Sequence, residues 1–179
     1  MYFKVLNKDG KPCHGGHGEW FLPRRKKDGT WIPGKWMPVI KGALVPCNNG
    51  YHLCREKDLL SWLHESIYEA EYRGEIIEAH DKIVVREARL LRRMNWDERI
   101  ARLFACDCAE DVLPIFEKQY PEDSKPRKAI DIARLYANGK ATKEELSAAR
   151  SAAWSAACSA ARSAQTKRLL QYLEGELDA

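Results

Sequence analysis

The sequence predicts an α+β protein: a small N-terminal antiparallel sheet with a short helix, followed by a C-terminal helical region ending in a long alanine-rich helix. Three observations predict it. Tyr2 to Leu6 and Ser66 to Tyr72 alternate with the period of two that a half-buried strand needs. Glycine and proline punctuate the first fifty residues at intervals too short for helices. Beyond Asn95 the apolar residues return at helical spacing and give way to alanine-rich tetrads. These changes divide the chain into a small α+β domain over 1–94 and a helical region packed on it over 95–179.

The first strand stops at Asn7-Lys8-Asp9-Gly10, a turn whose glycine suits a positive φ. The stretch Cys13-His14-Gly15-Gly16-His17-Gly18-Glu19-Trp20 has three glycines in four positions, which forbids a regular element and permits close approach of the backbone. A brief strand is expected at Phe21-Leu22-Pro23, then a turn at Lys27-Asp28-Gly29-Thr30, then a broken loop carrying Trp31 and Trp36. After the turn cluster Pro46 to Gly50, Tyr51 to Cys54 reads as a strand. Arg55 to His64 reads as a helix with Leu59, Leu60, Trp62 and Leu63 on its apolar face. Ser66 to Tyr72 is followed by an expected turn at Arg73-Gly74-Glu75, and Ile83 to Leu91 is a strand rich in Ile, Val and Leu.

Helical spacing then runs from Ile100 to Phe116, and Pro114 within it predicts a kink or break near Val112-Leu113. Another helix begins around Pro126 and stops at Asn138-Gly139, and Thr142 with Glu145 forms a capping box for the last one. That helix repeats Ser-Ala-Ala-x from Ser147 to Arg162. Each tetrad advances the helix by about 400°, so the serines spiral by roughly 40° per repeat and form no straight seam. A thin alanine cylinder buries little area, and Trp154, Leu169, Leu170, Tyr172 and Leu173 are expected to anchor it. Such a cylinder also suits pairing with a second copy of the chain.

Composition narrows the function classes. The chain has 179 residues, 45% of them hydrophobic, which is enough for a core. No apolar run approaches the ~18–20 residues of a membrane span, and the N-terminus has no secretory signature, so a cytoplasmic protein without a membrane role is expected. In that compartment all six cysteines are expected as reduced thiols. A net charge of +4 is too mild to demand a polyanion partner. The basic residues do cluster, and Arg24, Arg25, Lys26 and Lys27 together with Arg86, Arg89, Arg92 and Arg93 make nucleic-acid binding an alternative.

No complete catalytic motif is present. Cys13, His14, His17, Cys47, His52 and Cys54 are ligand types for zinc, but their spacing matches no standard framework, so no cofactor is expected and structural zinc on these residues is the alternative. The glycine-rich loop is neither a Walker loop nor a dinucleotide fingerprint. A face formed by His14, His17, Trp20 and His52, with Trp31, Trp36 and Arg55 at its rim, is the expected ligand site.

Two resemblances bear on setting. Tyr51-His52-Leu53-Cys54-Arg55, Asp81-Lys82-Ile83-Val84-Val85, Ala88-Arg89-Leu90-Leu91 and Ala101 to Glu110 resemble uncharacterised proteins of bacteriophage and prophage genomes. The stretch from Ala105 through Pro126-Arg127-Lys128-Ala129-Ile130 to the alanine-rich helix is similar to the helical immunity proteins of bacterial toxin systems. Together they imply a setting, a phage- or prophage-encoded protein in the host bacterial cytoplasm, and the leading expectation for it is a non-enzymatic binding protein. It would sequester or block a host defence protein, a toxin or a signalling nucleotide. A third reading comes from the order of elements around His52 and a later strand with Glu87, which is similar to that of ADP-ribosyltransferases, although Cys54 stands where those enzymes carry Ser or Thr.

Overall fold

The structure is a computed structural model, and it describes residues 1–155. The chain forms two compact units, Met1–Asp97 and Glu98–Ala179.

The first unit contains β1 (Tyr2–Leu6), β2 (Arg24–Arg25), β3 (Trp31–Ile32), β4 (Tyr51–Arg55), a 3₁₀ helix (Glu56–Trp62), β5 (Ser66–Glu78) and β6 (Ile83–Arg93). Strands β1, β4, β6 and β5 close into a barrel in that order, with every pair antiparallel, and β2–β3 form a separate two-stranded sheet. Closure is achieved because β1 pairs with β5 along its whole length, from Tyr2↔Ala70 to Leu6↔Ser66, while its other edge meets β4. The alternation of β1 then buries both of its faces. Leu6 joins Leu53, Tyr68, Ile83, Val85 and Leu90 in one core cluster, and Phe3 and Val5 join Cys54 and Ile67 in another.

Strand β6 is too long for β4, which pairs only with Ile83, Val84 and Val85. Residues 34–40 act as a strap that supplies the missing partners. The amides of Gly34, Met37 and Ile40 donate to the carbonyls of Leu90, Ala88 and Arg86 at 2.8, 2.9 and 3.1 Å. Pro33 and Pro38 have no N–H to give, which is why the strap bonds at spaced positions and does not form a strand.

Three expectations for this unit are corrected. Arg73-Gly74-Glu75 is not a turn between strands: β5 continues through it as one strand, with a register shift between Arg73 and Ile76 and Gly74 at φ +80°. Glycine at positive φ absorbs the extra residue of a bulge while pairing to β6 resumes on either side. The strand at Phe21 to Pro23 is absent, and pairing begins at Arg24, where Arg24↔Ile32 and Arg25↔Trp31 flank the Asp28-Gly29 turn. The helix after β4 is 3₁₀, with three residues per turn. Leu59 and Trp62 therefore align against the second core cluster, and Leu60 points away, 69% exposed.

In the second unit α1 (Glu98–Gln119) and α2 (Lys125–Ala137) form an antiparallel pair. Its rungs run from Arg99 Nη2 on Asn138 Oδ1 (2.6 Å) to the bidentate Arg127–Glu117 pair (2.7 Å for both bonds), with Arg134 on Asp107 and Glu110 between them. Of the expected kink or break, the break is absent: α1 passes through Pro114 as one helix with the adjacent Leu113 buried. Asn138 caps α2, and Lys140 N–H reaches back to the Leu135 carbonyl (2.8 Å) past Gly139 at φ +69°. The capping box forms in both directions, Thr142 N–H to Glu145 Oε2 (2.7 Å) and Glu145 N–H to Thr142 Oγ1 (3.1 Å). It opens α3, helical from 143 to the end of the described residues at 155. Trp154 is 73% exposed and does not anchor this part of α3. The tetrads from residue 156 onward and the expected anchors Leu169, Leu170, Tyr172 and Leu173 lie outside the described residues.

The strap gives a direct test. A Cβ on Gly34 would lie 1.9 Å from the Phe21 carbonyl oxygen, and backbone cannot step aside as a side chain can. Gly34→Ala is expected to cost about 2–3 kcal/mol in guanidinium unfolding, and the exposed neighbour change Lys35→Ala to leave the midpoint where it is.

Candidate ligand pocket

The pairing of β1 with β4 is confined to Tyr2↔Arg55 and Phe3↔Cys54. Beyond it lie Lys4 and Val5 on one strand and Tyr51 to Leu53 on the other, and all of these line a cavity of about 640 Å³. The glycine-rich loop, Trp20, the Cys47 to Gly50 turn, Trp62 and Lys82 complete the wall. The described lining holds no Asp or Glu, in a chain that has 26 of them.

His52 lies at the base of the 45–49 turn, and its Nε2 accepts the Cys47 N–H at 2.9 Å. That bond requires a bare Nε2 and places the ring proton on Nδ1. Burial, with help from the Lys4 and Lys82 charges, depresses the His52 pKa, so the ring is neutral at neutral pH. Cys47 itself holds φ at 63°, the left-handed region, in a turn closed by Val45 N–H to Asn49 O at 2.8 Å. His14 Nε2 meets the Trp62 carbonyl (3.2 Å), and its ring stands edge-on to the Trp62 indole at 5.0 Å. Trp20 is buried and packs edge-on against Tyr51 at 5.4 Å.

Two lysines supply the charge. Lys4 Nζ donates to the His52 carbonyl at 3.1 Å and lies 5.0 Å from the centroid of the Trp20 ring. Burial pulls its pKa down to about 8. Burial in turn pushes the Cys54 thiol up to about 11 and raises that of Cys13. Both neighbours are therefore neutral thiols where Lys4 titrates, and neither is a counter-ion for it. Lys82 Nζ sits 4.9 Å over the Trp62 ring. Burial works against its ammonium, but Cys47 and Asp81 outweigh that and raise its pKa.

Of the expected site residues, His14, His17, Trp20 and His52 line this one pocket, and Trp31, Trp36 and Arg55 do not. Trp31 belongs to β3. Trp36 is stacked by the guanidiniums of Arg73 (4.3 Å) and Arg89 (4.8 Å). Arg55 pairs with Asp58 and Glu78 and donates to the carbonyls of Ala79 (2.9 Å) and His80 (2.8 Å), stapling β4 to the β5–β6 turn. Lys4 and Lys82 were not singled out by the sequence. Lys4 occupies a polar position in an alternating strand, a pattern that predicts exposure.

The basic run has its own arrangement. Arg92, Arg89 and Arg86 on β6 pair with Glu69, Glu71 and Glu75 on β5, and Glu87 pairs with Arg73. Arg93 reaches Ser66 Oγ at 3.4 Å. Arg24, Arg25, Lys26 and Lys27 are exposed, with Arg25 Nε on the Gly29 carbonyl at 3.3 Å. Glu87, the carboxylate of the transferase-like order, is held by Arg73 and does not share the pocket with His52. Among the described residues no three His, Cys, Asp or Glu side chains gather as a metal-holding group, and the described cysteines 13, 47, 54, 106 and 108 are free.

Residues 95–173 match the family described as Imm-5 like putative immunity protein. No curated protein and no solved structure matches the chain. The immunity-protein match covers α1, α2 and α3 and includes none of the pocket residues. Among the described residues no helix is long and apolar enough to cross a membrane.

Lys4 makes the stability of the folded chain pH-dependent. It ionises near 8 in the folded chain and near 10.5 when solvated, so between these values the unfolded chain holds more protons and stability rises with pH. Below about 8 the folded chain carries the whole cost of the buried charge. Lys4→Met is therefore expected to gain on the wild type at pH 7 relative to pH 10.5, by on the order of 2 kcal/mol. Guanidinium unfolding of both proteins at the two pH values measures this. A difference independent of pH would place Lys4 in solvent.

Proposed function

We propose that the chain is a non-enzymatic binding protein of bacteriophage or prophage origin, acting in the host bacterial cytoplasm, whose barrel pocket sequesters a small anionic ligand bearing an aromatic ring. A signalling nucleotide has that chemistry. The observation that carries the reading is the lining: Lys4 and Lys82, three histidines and the Trp20 and Trp62 indoles surround a cavity whose described wall has no carboxylate. Ammonium groups and backbone amides suit a phosphate, and indole faces suit a base.

A second reading rests on the helical unit. The match of residues 95–173 to an immunity-protein family favours a role in blocking a partner protein, such as a toxin or a defence protein, through α1 to α3. The two readings are compatible, because they use different residues.

The test uses the full chain, purified gently and examined by native mass spectrometry. A retained mass matching a nucleotide, lost on denaturation, is the expected result. Added back, that nucleotide should quench tryptophan fluorescence, and replacing His14 and His52 together with Ala should weaken it at least tenfold. Affinity should fall less than about tenfold between 50 and 200 mM salt, against the ~10³–10⁵-fold of a surface that makes many phosphate contacts. A steeper fall, abolished by Arg24→Glu with Arg25→Glu, would replace this reading with nucleic-acid binding. A bare polypeptide that no nucleotide quenches would leave the helical unit as the binding part.

A further inference from the structure

The pocket also contains an amine placed for covalent capture, an inference that rests on the proposed reading of the cavity as an anion site. Lys4 reaches the wall from the middle of β1, at the point where pairing with β4 ends. Lys4 Nζ donates to the His52 carbonyl, which leaves ammonium hydrogens for an incoming group. The Trp20 ring covers it on one side, and the thiols of Cys13 and Cys54 offer no negative charge. The cavity admits a molecule of nucleotide or coenzyme size, and His17 lies in the same wall with Lys82, whose ammonium is shared with Asp81 at 3.4 Å, to receive its anionic group.

We propose that Lys4 Nζ captures small anionic aldehydes or ketones in this pocket as a reversible imine. The ligand class is a phosphorylated or carboxylated carbonyl compound, preferably one with an aromatic ring to pack against Trp20. The neutral amine attacks the carbonyl carbon. A C–N bond forms, and the oxygen takes up a proton to give a carbinolamine. Loss of that oxygen as one water leaves C=N. No oxidant or reductant enters, and hydrolysis returns amine and carbonyl. Desolvation prepares the step: with the pKa drawn down to about 8, about a tenth of the amine is neutral at pH 7, roughly three-hundredfold more than for a solvated lysine.

The experiment incubates the full chain with pyridoxal 5′-phosphate, an anionic aromatic aldehyde, at pH 7.5. Borohydride then fixes any imine, and fragmentation mass spectrometry maps the reduced adduct, resolving Lys4 from the Met1 α-amine. The expected result is close to one adduct per chain, at Lys4, formed at least tenfold faster than at Lys26, Lys27 or Lys35. Mapping is done on the unaltered protein, so it does not depend on a variant folding, and Lys4→Arg is expected to remove that one adduct. Labelling spread over the exposed amines, with Lys4 no faster than they are, would overturn the proposal. The 4-deoxy analogue, which keeps ring and phosphate but has no aldehyde, separates the two readings. If it quenches tryptophan fluorescence while the aldehyde leaves Lys4 unmodified, the anion pocket stands and the imine falls. If it does not bind and Lys4 is not modified, both fall.

Discussion

Everything in the N-terminal unit follows from a shortage of pairing at one edge. A closed barrel requires each strand to find two neighbours, yet β1 and β4 have five residues each while β5 and β6 have 13 and 11. The long strands satisfy each other along most of their length. The short ones meet at two positions and then diverge. Backbone groups left over at such a gap must find partners elsewhere or stay in water. On β6 the strap supplies them. At the β1–β4 gap Lys4 supplies one, by giving its ammonium to the His52 carbonyl where a ladder bond would otherwise form. The pocket is therefore the part of the barrel that its strands are too short to close, and the residue that mends the backbone there also provides its charge.

The ion pairs on β5 and β6 express the same topology in side chains. Glu69 opposes Arg92, Glu71 opposes Arg89, and Arg73 opposes Glu87, each in the register of the backbone ladder. Exposed pairs of this kind contribute little stability individually. They do penalise a slipped register, because moving one strand by a residue would send the charged set to the other face. The sign reverses at Arg73–Glu87 and returns at Glu75–Arg86 beyond the bulge. In a run that reads in the sequence as an arginine cluster, Arg86, Arg89 and Arg92 are half of a neutral ladder whose partners lie 11 to 23 residues away, and Arg93 reaches Ser66.

Local signals were legible in the sequence and long-range ones were not. The capping box at Thr142, the Asn138-Gly139 stop and the alternation of β1 each depend on a few neighbouring residues, and each is found where its residues predict it. So is the antiparallel sheet followed by helices. The Arg73-Gly74-Glu75 bulge has the composition of a turn, and only the position of β6 decides between them. The 3₁₀ geometry of Glu56–Trp62 likewise depends on where Leu59 and Trp62 find a core. His14, His17, Trp20 and His52 carried visible signals: glycine-rich backbone, imidazoles and a large aromatic. Lys4 carried none. Its environment comes from strand ends, Trp20 and thiols that are distant in the chain, and periodicity alone assigns it to solvent.

Charge in this protein is informative by location and not by sum. A net +4 over 179 residues produces a weak field, and on β5 and β6 opposite charges cancel at close range. The pocket departs from this pattern by excluding acids. Of its two lysines, Lys82 is paired with Asp81 at 3.4 Å, while Lys4 has no carboxylate among the described wall residues to neutralise it. The indole beside each one limits the water that could screen it. The cost of keeping the Lys4 ammonium in that setting appears as its depressed pKa. An anion that enters would supply the missing counter-charge and reverse part of that cost. Under the proposed reading this is the role of the buried amine: the cost of its charge is offset when the pocket is filled.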